Sequence, residues 1–186
     1  RVDFSNLNRQ ILFNTKDIGK FKVTQARKIL QRGNKNVQIK TYKEKIIKKN
    51  IHTILKKYEI ICDCSDNFET RYLLNDFCLK NKKILISAAI NKFEAHIFNF
   101  DFKKNIPCYR CFMPEIPDID TKCDVDGILP TVAGIAGTLQ ANEVIKSILV
   151  KKSELVGKMI IFNTLNLNFR KVKLTKNCNY GYCKKT

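Results

Sequence analysis

The chain has 186 residues, enough for one globular domain with a sizeable core. Apolar residues at 44% and charged residues at 28% suit a soluble protein, and no apolar run approaches the ~18 residues of a membrane span. The opening Arg1-Val2-Asp3-Phe4 leads into no signal-peptide core, so a cytoplasmic protein with no membrane partner is expected. The formal charge of +18 raises a nucleic-acid partner. The lysines are scattered along the whole chain instead of clustering, which argues against one and for attraction of nucleotide phosphates or an acidic protein.

In chain order, a polar, irregular segment runs to about Asn14, and a helix follows over residues 21–30 with Val23, Ala26, Ile29 and Leu30 on one face. Val37–Tyr42 alternates like a strand. Residues 50–58 read as a short helix with Asn50 as N-cap. Glu59-Ile-Ile-Cys-Asp63 is compact and apolar, as in a buried parallel strand. Residues 68–79 are helical in period, and 83–89 form a second buried strand. This alternation predicts α/β layering with a parallel sheet. Beyond it, 96–100 is a strand ending in the turn before Pro107, and 130–149 forms a long helix. Ala133, Gly134, Ala136, Gly137 and Ala141 place small residues on that helix, which predicts close backbone approach. Residues 159–162 and 169–174 read as two antiparallel strands. There is no internal repeat or linker, so one domain over 1–186 is expected. A doubly wound nucleotide fold normally opens on an apolar strand and a glycine-rich turn. Neither is present; Gly134-Ile-Ala-Gly137 lies within a helix and follows no strand, so it is not a phosphate loop.

Arg9, in Ser5-Asn-Leu-Asn-Arg-Gln10, and Lys22, thirteen residues on, could grip a triphosphate, Arg as a planar fork and Lys as a point charge. In so basic a chain both also read as surface cations. Asp63-Cys-Ser-Asp-Asn67 falls just past a buried strand, where ligands bind in open α/β sheets, so a carboxylate there is placed for Mg2+. Alternatively, Ser65 or Asp66 caps the next helix. Eight cysteines in such a chain point to metal or catalysis before disulfides. Cys108-Tyr-Arg-Cys111 is a C-x-x-C turn bracketed by Pro107 and Pro114, and with Cys178 and Cys183 it makes four candidate zinc ligands. Cys123, alone in a charged loop, is a candidate nucleophile or an unimportant exposed thiol; Lys122 would lower its pKa, Asp124 and Asp126 would raise it. Cys62, Cys64 and Cys78 read as core or near-core thiols.

Taken together, these blocks resemble the ThiF/MoeB/HesA family, bacterial relatives of the ubiquitin-activating enzymes. Ser5-Asn-Leu-Asn-Arg-Gln10 resembles the family's SNLxRQ block, Gly19 to Lys22 its G-x-x-K segment, and Asp63-Cys-Ser-Asp-Asn67 with Thr70-Arg71 its D-C-[ST]-D-N-x-x-T-R motif. Pro107-Cys-Tyr-Arg-Cys111, Cys123, Gly127-Ile-Leu-Pro130, Gly134 to Ala141 and Glu143-Val-Ile-Lys146 follow in family order. The resemblance implies a Rossmann-like doubly wound, mostly parallel sheet with an antiparallel extension and a four-cysteine zinc site. It implies that Ser5, Asn6, Arg9, Lys22, Asp66 and Asn67 line an ATP site, with Asn6, Arg9 and Lys22 at the phosphates and Asp66 on Mg2+. Cys108, Cys111, Cys178 and Cys183 would hold a structural Zn2+, and Cys123 stands where some members carry a sulfur-transfer thiol. The implied activity is adenylylation of the C-terminal carboxylate of a ubiquitin-like sulfur carrier ending in Gly-Gly, by a homodimer.

Three departures qualify it. The family's glycine loop and ribose-binding acid would precede residue 1, so by the resemblance an N-terminally truncated chain is expected. The last cysteine pair is spaced C-x4-C, wider than the usual C-x-x-C. Glu94-Ala95-His96 replaces the common Glu-Gly-Gln. The carrier could be of MoaD, ThiS or Urm type, for molybdopterin, thiamin or tRNA thiolation, and a partner-binding scaffold without catalysis is the rival from another class. This polypeptide by itself is expected to give no carrier-dependent ATP–pyrophosphate exchange; robust exchange would show that no upstream residues are needed.

Overall fold

In the computed structural model, which describes residues 1–115, 127–150, 153–177 and 183, the apolar runs from Ile60 onward assemble into one five-stranded sheet of order β1-β2-β3-β4-β5. The strands are β1 (Ile60–Asp63), β2 (Ile84–Asn91), β3 (Glu94–Asp101), β4 (Lys158–Asn163) and β5 (Asn168–Lys173). β1 and β2 pair in parallel, with Asp63 opposite Ser87. The other three pairings are antiparallel, so the antiparallel extension makes up most of the described sheet. The helices are α1 (Lys22–Gly33), α2 (Ile51–Leu55), α3 (Phe68–Lys80), α4 (Tyr109–Phe112) and α5 (Pro130–Leu149). The architecture is the α/β layering that the strand–helix alternation predicts, with the antiparallel extension that the resemblance implies, but only β1 and β2 form the parallel part. The chain divides into two compact units, Arg1–Lys45 and Ile46–Thr186.

In the second unit the period of two along each strand sorts the core onto two faces. Ile61, Leu85, Phe98, Phe100 and Met159 are buried on one face with Leu74, Phe77 and Cys78 of α3 and Tyr109 of α4. The Phe98 and Phe100 rings stack at 5.5 Å, as do those of Phe100 and Phe102. Each such ring contributes about 1.5–3 kcal/mol on burial, so this stack, two rings on β3 and Phe102 just past its end, anchors that face. Ala95 and Ile97 face the other way, against Val132 and Ala136 of α5 and Leu155.

α5 also makes two polar ties to the sheet. Buried Gln140 donates through Nε2 to Asp63 O at 2.9 Å and Ile86 O at 2.8 Å, so one side chain joins the first two strands. Buried Glu143 accepts from Asn99 Nδ2 at 2.9 Å and from Lys146 and the Ser153 hydroxyl. Burial pushes its carboxyl up, but these three donors outweigh that and hold it below the ordinary value.

Several expectations change. Val37–Tyr42 is not a strand: it has no ladder partner among the described residues, and alternation alone does not satisfy a strand's backbone. Asn50 stands at the N-cap position of α2, but its Oδ1 accepts from Ile47 N, outside the helix. Gly134 and Gly137 lie on the exposed side of α5 with open space beside them, so among the described residues the close packing of this helix falls on Ala136, against Ala95 and Ile97, and not on the glycines. Cys78 is fully buried as expected, but Cys62 and Cys64 are exposed. Their sulfurs are still desolvated enough to push both thiols up, Cys62 to about 11. No described helix is long and apolar enough to cross a membrane.

Two measurements check this packing. Gln140→Leu removes one donor from each of two buried carbonyls and is expected to lower unfolding free energy by about 1–3 kcal/mol in urea titrations. Glu143 titrates at lower pH folded than unfolded, so its contribution is full above its ordinary 4.5 and is lost as pH falls through the lower folded value. The stability gap between wild type and Glu143→Gln should therefore be widest near neutrality and close in acid.

Candidate functional site

In the first unit, Val2 N donates to Lys20 O at 2.8 Å and Gly19 N to Val2 O at 2.9 Å, clamping the start of the chain to the entry of α1. Gly19 has φ +79°, a left-handed conformation that favours glycine and turns the chain into the helix. Next to this clamp, Asp3 caps a short 3-10 turn, Phe4–Asn6, accepting from Ser5 N at 2.9 Å and Ser5 Oγ at 2.7 Å. These bonds hold the Asp3 carboxyl below its usual range, with a smaller contribution from the charge of Lys22. Asn6 Nδ2 donates to Ser5 Oγ at 3.3 Å. Arg9 Nη1 donates to Ser5 O and Asn8 Oδ1, both at 3.0 Å. Both acceptors are neutral, so the guanidinium charge meets no carboxylate within ion-pair range among the described residues.

Lys22 is the first residue of α1, whose N-cap, Phe21, offers no side-chain cap and whose first turn holds no acid. A cation at that end runs against the helix dipole, while the exposed N–H groups favour an anion. The clamp thus brings Ser5, Asn6 and Lys22 around Asp3, a residue that sequence reading passed over. Its signal was an acid two residues before a serine, the pattern of a cap.

In the second unit, the turn between β1 and α3 carries Cys64, Ser65, Asp66 and Asn67. The helix cap is Asn67, whose Oδ1 accepts from Thr70 N at 2.9 Å; neither Ser65 nor Asp66 caps. Asp63 is buried and saturated: it accepts from Ser65 N at 2.9 Å, Ser65 Oγ at 2.5 Å, Ser87 Oγ at 2.7 Å and Arg71 Nε at 3.3 Å. Asp66 is exposed, and its only hydrogen-bond partner among the described residues is Asn67 Nδ2 at 3.3 Å. One carboxylate of this motif holds the turn and the other faces solvent at the carboxyl end of a parallel strand. The second is the one suited to a hydrated divalent cation.

Cys108, Cys111 and Cys183 bring their sulfurs within 4.8 Å of one another. Cys108 to Cys111 is 3.9 Å and Cys111 to Cys183 is 3.5 Å. A disulfide needs about 2.05 Å, whereas thiolates on one tetrahedral zinc, each about 2.3 Å from the ion, stand about 3.8 Å apart. The donor set and its spacing fit zinc. Cys178, expected as the fourth ligand, and Cys123 lie outside the described residues.

α3 is fastened to this cysteine turn along its length, which the sequence did not announce. Asn75 Oδ1 accepts from Tyr109 N at 2.9 Å. Arg110 forks onto Asp76 at 2.9 and 2.7 Å, a pairing that raises the Arg110 pKa. The Tyr72 hydroxyl donates to Met113 O at 2.7 Å and Glu115 O at 3.0 Å. Burial and neighbouring Tyr109 push the Tyr72 pKa up, which keeps that hydroxyl a donor.

The sequence profile of the ThiF family matches residues 1–184. Among curated relatives, a probable molybdopterin-synthase adenylyltransferase of Pyropia yezoensis is 40% identical over 176 residues, covering 93% of this chain and 46% of the relative. An adenylyltransferase and sulfurtransferase MOCS3 of Culex quinquefasciatus is 38% identical over 175 residues, covering 93% of this chain and 40% of the relative. The chain thus spans less than half the length of these relatives. Among solved structures, E. coli MccB with ATP superposes with a TM-score of 0.83 at 20% identity, over all of this chain and 57% of that one, which is a likeness of fold.

Loss of a buried partner and loss of a surface ion pair should separate cleanly at the α3–cysteine junction. Asn75→Leu leaves the buried Tyr109 N–H unpaired and should cost about 1–3 kcal/mol. Asp76→Asn breaks a partly exposed pair and should cost below about 1 kcal/mol. Denaturant midpoints of the two variants check the order.

Proposed function

The chain belongs to the ThiF family, and from that footing we propose that it takes part in the ATP-dependent adenylylation of the C-terminal glycine carboxylate of a ubiquitin-like sulfur carrier, for molybdopterin synthesis. The observation that carries the reading is Asp66: an exposed carboxylate with one weak neighbour, held between two fixed residues at the carboxyl end of β1. The names of the relatives at 38–40% identity support the reaction class.

A carboxylate is a poor electrophile and must be activated before sulfur can be added. One oxygen of the carrier's terminal carboxylate attacks the α-phosphorus of ATP; that O–P bond forms as the bond to pyrophosphate breaks, giving an acyl-adenylate. Negative charge builds on the departing phosphates. Arg9, with no carboxylate partner among the described residues, and Lys22, at the uncapped start of α1, are the cations assigned to them, with Ser5 and Asn6 as neighbouring hydrogen-bond donors. Asp66, beside Asn67, is assigned to hold Mg2+, which when bound neutralises phosphate charge. Cys108, Cys111, Cys178 and Cys183 are assigned to a structural Zn2+, and Cys123 to the sulfur transfer that follows. The protein would act as a homodimer on a carrier ending in Gly-Gly.

Carrier-dependent ATP–pyrophosphate exchange by the full-length protein tests this. Arg9→Ala, Lys22→Ala and Asp66→Asn should each reduce exchange by roughly a hundredfold or more, while Cys123→Ala spares exchange and impairs sulfur transfer. Full exchange by Asp66→Asn would overturn the assignment. The protein should also bind one zinc per chain, and Cys111→Ser should lose the metal and lower the Tm.

A further inference from the structure

Arg71 stands eight residues past Asp63, on the second turn of α3, and its guanidinium is buried, with the residue 6% exposed. Nε reaches Asp63 Oδ2 at 3.3 Å, and Nη2 donates to Ser65 O at 2.8 Å and, more distantly, to Ala88 O at 3.5 Å. One side chain therefore joins the end of β1, the turn after it and β2. Two rings flank it, Phe68 at 5.8 Å and Tyr109 at 5.7 Å, the latter from the cysteine turn.

The effect falls on Asp66. On its N-terminal side, Ser65 is fixed through N and Oγ by Asp63 and through its carbonyl by Arg71. On its C-terminal side, Asn67 is fixed by capping α3. The backbone of Asp66 is held from both directions while its carboxylate stays in solvent. Without Arg71, Ser65 O loses its donor, and the buried Asp63 carboxylate loses its only cation among the described residues.

We infer that Arg71 is a positioning residue for the divalent-cation carboxylate Asp66, acting through Ser65 and Asp63 and touching neither nucleotide nor metal itself. The inference rests on the reading of Asp66 given above. Residues that orient a metal-binding carboxylate act on metal affinity before they act on substrate binding. A mere cross-link would change only the amount of folded protein.

The test compares wild type, Arg71→Gln and Arg71→Lys in full-length protein by two measurements. The first is the Mg2+ dependence of carrier-stimulated ATP–pyrophosphate exchange. The second is amide hydrogen exchange over residues 64–67. Arg71→Gln is expected to raise the Mg2+ concentration for half-maximal exchange roughly 10- to 100-fold. Its KM for ATP at saturating Mg2+ should stay near that of wild type, and amides 64–67 should exchange faster while β3 remains protected. Arg71→Lys, which keeps the charge beside Asp63 but not the fork, should lie between. An unchanged Mg2+ requirement, or unchanged protection of 64–67, overturns the inference. If wild type itself gives no exchange with any Gly-Gly carrier, the functional reading fails on its own terms, and amide protection still decides whether Arg71 holds the turn.

Discussion

The described second unit depends on one buried carboxylate. Asp63 closes β1 with its side chain turned into the molecule, where an unpartnered charge would be prohibitive. Two hydroxyls, one backbone amide and one guanidinium answer it, and they come from three different stretches of chain: Ser65 in the turn, Ser87 on β2 and Arg71 on α3. The Asp63 carbonyl is taken by Gln140 of α5 from the other side of the sheet. Both helical layers are thereby registered against the same residue. A buried pair of this kind is weak evidence for stability, but removing either partner leaves the other charge buried and uncompensated.

That constraint connects the fold to the proposed chemistry. A turn that must satisfy Asp63 has little freedom left, so the next acid, Asp66, is presented outward from a rigid mount. The cysteine turn adds a second anchor to the same helix through Tyr109, Arg110 and Met113. α3 therefore runs between a thiolate cluster suited to a structural metal and a carboxylate suited to a catalytic one. Rigid support of this sort lets a few charged groups act on a transferring phosphoryl group without reorganising during the reaction.

Much of this was legible in the residues, and the misses have physical causes. The limits of α5 and the parallel pairing of β1 with β2 follow from long, well-bounded apolar patterns. Val37–Tyr42 has the alternation of a strand but no strand to bond, and pairing is a non-local property that no window can show. Asp63 and Asp66 look alike in the string Asp-Cys-Ser-Asp. Their roles differ because Asp63 shares the inward phase of Ile61 while Asp66 lies past the strand end. Cys62 falls in the opposite phase and is exposed. The fastening of Asn75 and Asp76 to Tyr109 and Arg110 spans more than thirty residues of chain, so no local motif announces it. The three-cysteine cluster needed only the C-x-x-C turn and the late cysteines to be expected.

The account stands most directly on the geometry of Asp66 with nucleotide bound. A crystal structure of the full-length protein with Mg2+ and a non-hydrolysable ATP analogue would decide it. The expected result is an Asp66 oxygen at about 2.1 Å from the ion or bonded to one of its waters, with Ser65 still held by Asp63 and Arg71. A metal bound without Asp66, or a β1–α3 turn that has abandoned Asp63 to reach it, would contradict the account.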